Sequence, residues 1–350
     1  MFLEKIEIEK FRNINSAVYY PGQNINFIIG KNAQGKTNFL EAIYFLAYGK
    51  SFRTNKINYL FNNENFFNLN TILKKNKVSY IINMKIKEKE KKIKINNKYE
   101  KIRDVSDKLK VILYFPGEIN FLLKSPALRR NLLDKAIFLH DVNYLDIHLD
   151  YIKCLKNRNL CLKENKDDYI WREKLIELSY AIVKKRKKYI TEINRLLENN
   201  VQNFEKEIYN IKYSSINLEN YMNIMRMDFE KIRNTEEKVG YTLLGQHTDA
   251  VTFQINDKNI DNYGSEGQKK TFLLLYKYAQ LLNFNKHKEF KPILLVDDIS
   301  SEIDNTREKI LIDKLLSNCD QSFITSLNKP SFSFEKANFF HINNGKITVK

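Results

Sequence analysis

The stretch NINFIIGKNAQGKTNFLEAIYFLAYGK, residues 24–50, decides the fold. Residues 24–29 are an apolar run that reads as a buried strand. They pass directly into Gly30-Lys31-Asn32-Ala33-Gln34-Gly35-Lys36-Thr37, a complete phosphate-loop pattern. Phe39, Ile43 and Leu46 then recur at helical spacing, and Gly49 stops the helix. Each residue type has a chemical reason. The glycines let backbone N–H groups close around a β-phosphate, and the helix aims its N-terminus at the same anion. Lys36 supplies a mobile positive charge to the β- and γ-phosphates, and the Thr37 hydroxyl can ligate Mg2+. The pattern predicts a nucleotide site over residues 30–37.

A phosphate loop works with an acidic residue on a neighbouring strand. ILLVDD at 293–298 supplies one: four apolar residues suited to a strand buried on both faces, then Asp297 and Asp298. Asp297 would hold the Mg2+ shell, and Asp298 would orient or deprotonate an attacking water. Adjacent carboxylates also serve as helix N-caps, a reading the phosphate loop disfavours. SEGQKK at 265–270 opens another helix. Ser265, Gly267 and Gln268 there form either an anion site at the helix start or an ordinary cap.

The 350 residues are enough for about two domains and a sizeable core. No apolar run approaches the ~20 residues of a membrane span, and MFLEKIEIEK lacks the apolar region of a secretory signal. Cys154, Cys161 and Cys319 include no CxxC and give neither a disulfide framework nor a zinc cluster. Cys154 and Cys161, two helical turns apart, read as packing residues. A soluble, reduced, cytoplasmic protein is expected. The net charge of +17 rests on 59 basic residues, of which 47 are Lys. With plentiful Asn and Ile, that is the palette of AT-rich coding, so distribution says more than the total. Residues 71–110 hold 14 basic and 5 acidic side chains. This stripe either draws polyanions or solvates an edge strand.

Strand signals recur at Ile6 and Ile8, in a hairpin over 78–97, and at 251–255, 292–296 and 322–326; HINNGKITV reads as a hairpin on Asn344-Gly345. Ser125 and Pro126 start a helical region reaching about residue 210. Within it, apolar residues from Trp171 to Ile208, Phe204 among them, recur near every 3.5 positions. Both a coiled coil and shorter helices in a bundle fit that spacing. KKRKK at 184–188 reads as a solvated helix face or as a DNA clamp. The pattern is one α/β unit in two sequence halves with a helical insertion.

The order of phosphate loop, long insertion, S-x-G-Q and Asp-ended strand resembles the ABC-type ATPase heads that act on DNA. SMC heads share it, but they carry hundreds of coiled-coil residues between halves and usually end the strand Asp-Glu. Here 227 residues separate Thr37 from Ser265. Asp297-Asp298 followed by Ser301-Glu302-Ile303-Asp304 resembles the RecF family of bacterial recombination mediators. So do EKFRNI at 9–14, SFRT at 51–54, FPGEI at 115–119, SPALRRNLLD at 125–134 and GQHTD at 245–249. The resemblance spans the full length, although the family usually has Arg at Lys270 and Gln at Glu266.

The resemblance implies an α/β fold: an ABC-type ATPase head with a mixed sheet carrying the phosphate loop plus an antiparallel subdomain. The head would comprise 1–122 and 241–350, around an inserted α-helical domain at 123–240. It implies ATP and Mg2+ held by Gly30, Lys31, Asn32, Ala33, Gln34, Gly35, Lys36 and Thr37, with Thr37 and Asp297 on the metal and Asp298 serving hydrolysis. Ser265, Gly267 and Gln268 of a second copy would cover the γ-phosphate. A homodimer would then form on ATP binding, clamp duplex or gapped, single-stranded DNA, and hydrolyse ATP slowly with DNA stimulation. The implied setting is DNA repair, replication restart and the SOS response, with RecO and RecR helping load RecA on SSB-covered DNA. A transporter ATPase would need a coupling surface for membrane helices, against which the basic stripe argues. A DNA-binding module with a decayed ATP site conflicts with intact Lys36, Thr37, Asp297 and Asp298.

Overall fold

The computed structural model describes residues 1–88, 90–119, 125–201, 207–298, 306–329 and 337–349. They form two compact units: Met1–Glu118 with Lys277–Lys350, and Ile119–Tyr276. The first unit begins with β1 (Phe2–Phe11), β2 (Ile14–Tyr19), β3 (Ile25–Ile29), α1 (Lys36–Tyr48), β4 (Phe66–Lys75), β5 (Val78–Lys87), β6 (Glu90–Ile95), β7 (Lys98–Tyr99), α2 (Ile102–Lys108) and β8 (Val111–Tyr114). The second holds α3 (Pro126–His140), α4 (Val142–Lys163), α5 (Tyr169–Val201), β9 (Tyr209–Ser214), α6 (Tyr221–Val239), β10 (Ala250–Ile255), β11 (Lys258–Asn259) and the short α7 (Ile260–Tyr263). Helix α8 (Glu266–His287) begins in the second unit and ends in the first. The first unit then continues with β12 (Ile293–Val296), α9 (Thr306–Ser317), β13 (Gln321–Ser326), β14 (Ala337–Asn343) and β15 (Lys346–Val349).

Two sheets build the first unit. One is antiparallel, in the order β2-β1-β4-β5-β6-β7. Its strands alternate because one face is core and the other solvent; Ile6 and Ile8 point inward as their spacing predicts. A register shift between Leu3 and Lys5 lets Leu3 and Ile6, three residues apart, share that buried face. The other sheet runs β15-β14-β3-β13-β12-β8, and all its pairings except β14–β15 are parallel. Both faces of its central strands are covered: β12 is apolar throughout, and the polar residues of β3 and β13, such as Asn26 and Thr325, are buried. Phe39, Ile43 and Leu46 of α1 join Ile6 and Ile8 of β1 and Ile28 of β3 in one core.

Parallel pairing has a consequence for chemistry. The C-terminal ends of β3, β13 and β12 share one edge, the usual place for ligands in such sheets. The register sets Ile29 beside Ser326 and Val296 beside Ile324. The phosphate loop, the end of β13 and Asp297-Asp298 therefore emerge side by side. The Ser301–Asp304 segment lies outside the described residues.

In the second unit α3 begins as its cap predicts: Ser125 Oγ accepts the Leu128 N–H at 3.2 Å, with Pro126 in the first turn. The spacing from Trp171 onward resolves into one helix, α5, of 33 residues, about 50 Å long. It packs on α4, α6 and β9, as in a bundle. Ile208 lies beyond the helix and is exposed, and Phe204 is outside the described residues. A three-stranded antiparallel sheet, β11-β10-β9, sits in the same unit. Because β9 pairs with β10, residues on either side of position 240 are tied together. Residues 241–276 thus cluster with the inserted helices, where the sequence groups them with the head. No helix among the described residues is long and apolar enough to cross a membrane.

The run KKRKK is neither a uniform solvated face nor an open clamp. Arg186 is 1% exposed. Its Nε and Nη2 donate to the two carboxylate oxygens of Asp134, both at 2.8 Å, and Nη1 donates to the Gln246 carbonyl at 2.8 Å. Lys185 pairs with Asp141, and Lys187 donates to the Ile216 carbonyl at 2.9 Å. Asp134 also accepts the Tyr144 hydroxyl. Arg129 and Arg130 donate to the carbonyls of Val251 and Asp249, each at 2.7 Å. The LRRNLLD and GQHTD segments are thereby joined. Cys154 is buried; its thiol faces the Trp171 carbonyl, and burial pushes its pKa up to about 11. Asp134→Ala would strand a buried guanidinium, and we expect the unfolding free energy to fall by about 3–5 kcal/mol in urea titration. A loss below about 1 kcal/mol would mean that the pair is worth no more than a surface contact.

Candidate active site

The loop after β3 has the backbone its glycines allow. Gly35 has φ 112° and Ala33 φ 64°. A Cβ on Gly35 would stand 2.8 Å from Asn13 Oδ1, and one on Gly30 2.5 Å from the Ile342 carbonyl. Lys36 Nζ is folded into the loop, donating to the carbonyls of Gly30 at 2.6 Å and Lys31 at 3.0 Å. Burial lowers its pKa, and the negative charges of Asp298 and Asp297 oppose that shift. A cation held at the N-terminus of α1 fits a polyphosphate.

Asp297 is 9% exposed and faces the loop. The Thr37 hydroxyl lies 3.0 Å from both of its carboxylate oxygens, and the Thr325 hydroxyl donates to Oδ1 at 2.7 Å. Burial raises its pKa; the Thr325 and Thr37 hydrogen bonds pull the other way. Asp298 follows with φ 53° and donates its backbone N–H to Thr325 Oγ1 at 2.7 Å. One hydroxyl and one carboxylate, already in contact, suit Mg2+, which takes few protein ligands and fills its octahedron with phosphate oxygens and water. Among the described residues no group of three or more His, Cys, Asp or Glu gathers elsewhere as a metal site.

Other segments brace the loop. The β14–β15 hairpin turns on Asn344 and Gly345, with φ 47° and 76°, as Asn-Gly predicts. Asn344 N–H donates to Gln34 Oε1 at 2.7 Å, and Gly345 N–H to the Gln34 carbonyl at 2.9 Å. Asn38 Nδ2 donates to Asn13 Oδ1 at 2.8 Å. Arg12 grips the fully buried Glu41 of α1 with Nε and Nη2 at 3.0 and 2.8 Å. Arg53 donates to Asn38 Oδ1 at 2.9 Å and lies 3.6 Å from Glu41, which also accepts the Ser51 hydroxyl. The EKFRNI and SFRT elements thus meet on α1. In FPGEI, Glu118 forms a buried ion pair with Lys277 of α8 at 2.6 Å.

Ser265 and Gln268 form a reciprocal cap at the start of α8: Gln268 N–H donates to Ser265 Oγ at 3.2 Å, and Ser265 N–H to Gln268 Oε1 at 2.8 Å. Gln268 Nε2 also donates to Glu207 at 2.6 Å. Ser265 and Gly267 are exposed. A Cβ on Gly267 would meet nothing nearer than Ser265 Oγ at 4.0 Å, so packing does not demand this glycine. The structure brings Gly30–Thr37, Asp297 and Asp298 together in the first unit, while Ser265, Gly267 and Gln268 belong to the second.

Residues 2–347 match the family described as RecF/RecN/SMC N terminal domain. A "DNA replication and repair protein RecF" of Geotalea uraniireducens is 33% identical over 363 residues, covering 99% of this chain and 100% of the relative. The chain belongs to the RecF family. Its RecF-type relative in Clostridium beijerinckii is 31% identical, with 99% and 98% coverage. A solved structure of the recombination mediator protein RecF with ATP, from the RecFOR pathway, superposes with a TM-score of 0.91 at 29% identity, covering 100% of this chain and 99% of that one. An SMC head bound to the C-winged helix domain of ScpA, at 15% identity and a TM-score of 0.60, shares the fold. The fold is therefore the ABC-type α/β ATPase head shared by RecF and SMC proteins.

Thr325 is the site residue that the sequence reading missed. Its only signal is a hydroxyl at the end of the SFITS strand beside the acidic one. Asp297 offers a direct test. A carboxylate whose pKa is raised by folding favours the folded state at low pH, and that contribution is lost as pH rises through the native pKa. Asp297→Asn should therefore raise the melting temperature of nucleotide-free protein by about 2–4 °C at neutral pH, with the gap closing toward pH 4. The same variant should lose the stabilisation that Mg-ATP gives. A lower melting temperature at neutral pH would contradict the assigned cost of burying this carboxylate.

Proposed function

We propose that this chain is an ATP-gated, DNA-binding dimer of recombinational repair and replication restart, acting in the cytoplasm at single-strand gaps. The observation that carries the reading is the contact of Thr37 with Asp297, which joins phosphate loop and acidic strand into one site. Membership of a family whose relatives are DNA replication and repair proteins supports the setting. The ATP-containing RecF structure supports the nucleotide. The RecFOR setting of that relative supports RecO and RecR as partners, and RecA loading is the outcome that the family resemblance implies.

In this reading Lys36 gives its charge to the β- and γ-phosphates, and the loop N–H groups hold the β-phosphate. Thr37 and Asp297 would hold Mg2+, which neutralises charge on the β- and γ-oxygens when bound. Asp298 accepts the proton of the water that attacks the γ-phosphorus, as the bond to the bridging oxygen breaks. The exposed Ser265 and the open approach to Gly267 suit a γ-phosphate presented by a second copy, with Gln268 holding the cap in shape. ATP then joins two copies in a two-fold dimer with two composite sites, and its slow hydrolysis, stimulated by DNA, releases them.

The basic stripe contributes through a sheet face. Lys85 pairs across from Lys92, and Asn83 from Lys94, so all three lysines share the solvent side of β5 and β6. Lys94 lies 4.8 Å from the centre of the exposed Tyr99 ring. Lys91 differs: it donates to the Gly49 carbonyl at 2.8 Å, and burial lowers its pKa. Phosphate binding is accordingly assigned to Lys85, Lys92 and Lys94. Replacing these three with Gln should make the log–log salt dependence of DNA affinity shallower by about 0.9 for each phosphate no longer neutralised. An unchanged slope would leave the stripe as a solvated surface.

The composite site has a sharper test. Ser265→Arg should bind ATP as a monomer yet fail to dimerise in light scattering, and Asp298→Asn should accumulate the ATP-bound dimer. Mixed together, the two variants should recover part of the ATPase, because one site then unites an intact Asp298 with an intact Ser265 from the other chain. Normal ATP-driven dimerisation of Ser265→Arg would refute the composite site. Lys36→Ala should abolish nucleotide binding and, with it, ATP-dependent DNA binding.

A further inference from the structure

Asp298 is the residue to which the proposed reaction assigns the proton, and its backbone is unusual. Its φ of 53° lies in the left-handed region, where Asp is tolerated far better than bulkier residues but still at some strain. Such a conformation persists only where neighbours hold it, and the Thr325 hydroxyl is one of those neighbours. Thr325 is fully buried at the end of β13. Its Oγ1 accepts the Asp298 N–H at 2.7 Å and donates to Asp297 Oδ1 at 2.7 Å. The directions are fixed by chemistry: an amide only donates, an ionised carboxylate only accepts, and a hydroxyl can do both. One side chain thus ties the peptide that carries Asp298 to the carboxylate of Asp297.

We propose that Thr325 is a positioning residue for hydrolysis, holding the Asp297-Asp298 turn in its left-handed form so that Asp298 stands where the attacking water must be deprotonated. The inference rests on the ATPase reading above, but the hydrogen bonds it invokes join protein atoms alone. Thr325 itself touches neither phosphate nor water in this scheme. Its effect passes through the peptide between the two carboxylates. A serine at 325 can make both bonds; a valine of nearly the same volume can make neither.

The experiment compares full-length wild type, Thr325→Val and Thr325→Ser in two independent measurements. The first is amide hydrogen exchange at residue 298 in nucleotide-free protein. We expect exchange about tenfold faster in the valine variant and near wild type in the serine variant. The second is single-turnover ATP hydrolysis beside nucleotide affinity. The valine variant should hydrolyse about 100-fold more slowly, the scale of a misplaced reacting group, while affinity for ATP changes less than about threefold; serine should restore the rate. Wild-type exchange or wild-type hydrolysis in the valine variant would overturn the proposal, as would a folded serine variant that restores neither. If valine does not fold, Thr325→Ala carries the same comparison. Should wild type itself hydrolyse no ATP, the ATPase reading fails, and the exchange measurement still decides whether Thr325 holds the turn.

Discussion

One buried carboxylate organises the nucleotide edge of this protein. Asp297 is taken out of water, which penalises its charge, and two hydroxyls return part of what solvation lost. Those hydroxyls come from Thr37, after β3, and Thr325, on β13. Three parallel strands must therefore end level with one another. A slip of one residue in β13 would turn Thr325 to the other face, so the strand register also fixes the chemistry.

The short family elements around the loop act as its supports. Glu41 is wholly buried on α1, and its charge is met by Arg12, with Arg53 and Ser51 close by. The Asn344-Gly345 turn rests on Gln34 and leaves no room for a side chain on Gly345, where a Cβ would lie 2.3 Å from the Asn13 carbonyl. A loop braced by contacts within the protein loses less of its binding energy to ordering.

Two arginines of the second unit hold buried acidic groups together. Arg186 binds both oxygens of Asp134, and Arg158 reaches Asp168 at 2.8 Å, Glu236 at 2.6 Å and the Thr242 hydroxyl at 2.9 Å. Both guanidiniums are almost completely buried. A planar fork satisfies several acceptors at once in a way a lysine ammonium cannot. The net charge of +17 conceals this division, because exposed lysines can drift in number while these arginines are bound by geometry.

The sequence by itself determined the phosphate-loop pattern, the acidic strand and the family. The phosphate loop is legible because its residues are contiguous and each glycine, lysine and hydroxyl answers to one ligand. The strand ILLV is legible because burial on both faces leaves no polar residue in it. Only the tertiary structure decided the role of Thr325, one hydroxyl among many until β13 lies beside β12. It also decided the burial of Arg186, whose partner Asp134 lies far along the chain, and the pairing of β9 with β10 across position 240. It moved Lys91 to the inner face of its strand and closed the spacing after Trp171 into a helix of a packed unit. In each case the deciding partner is remote in sequence. A local pattern reports the environment that a segment needs, whereas the partner that supplies it is chosen by packing and register.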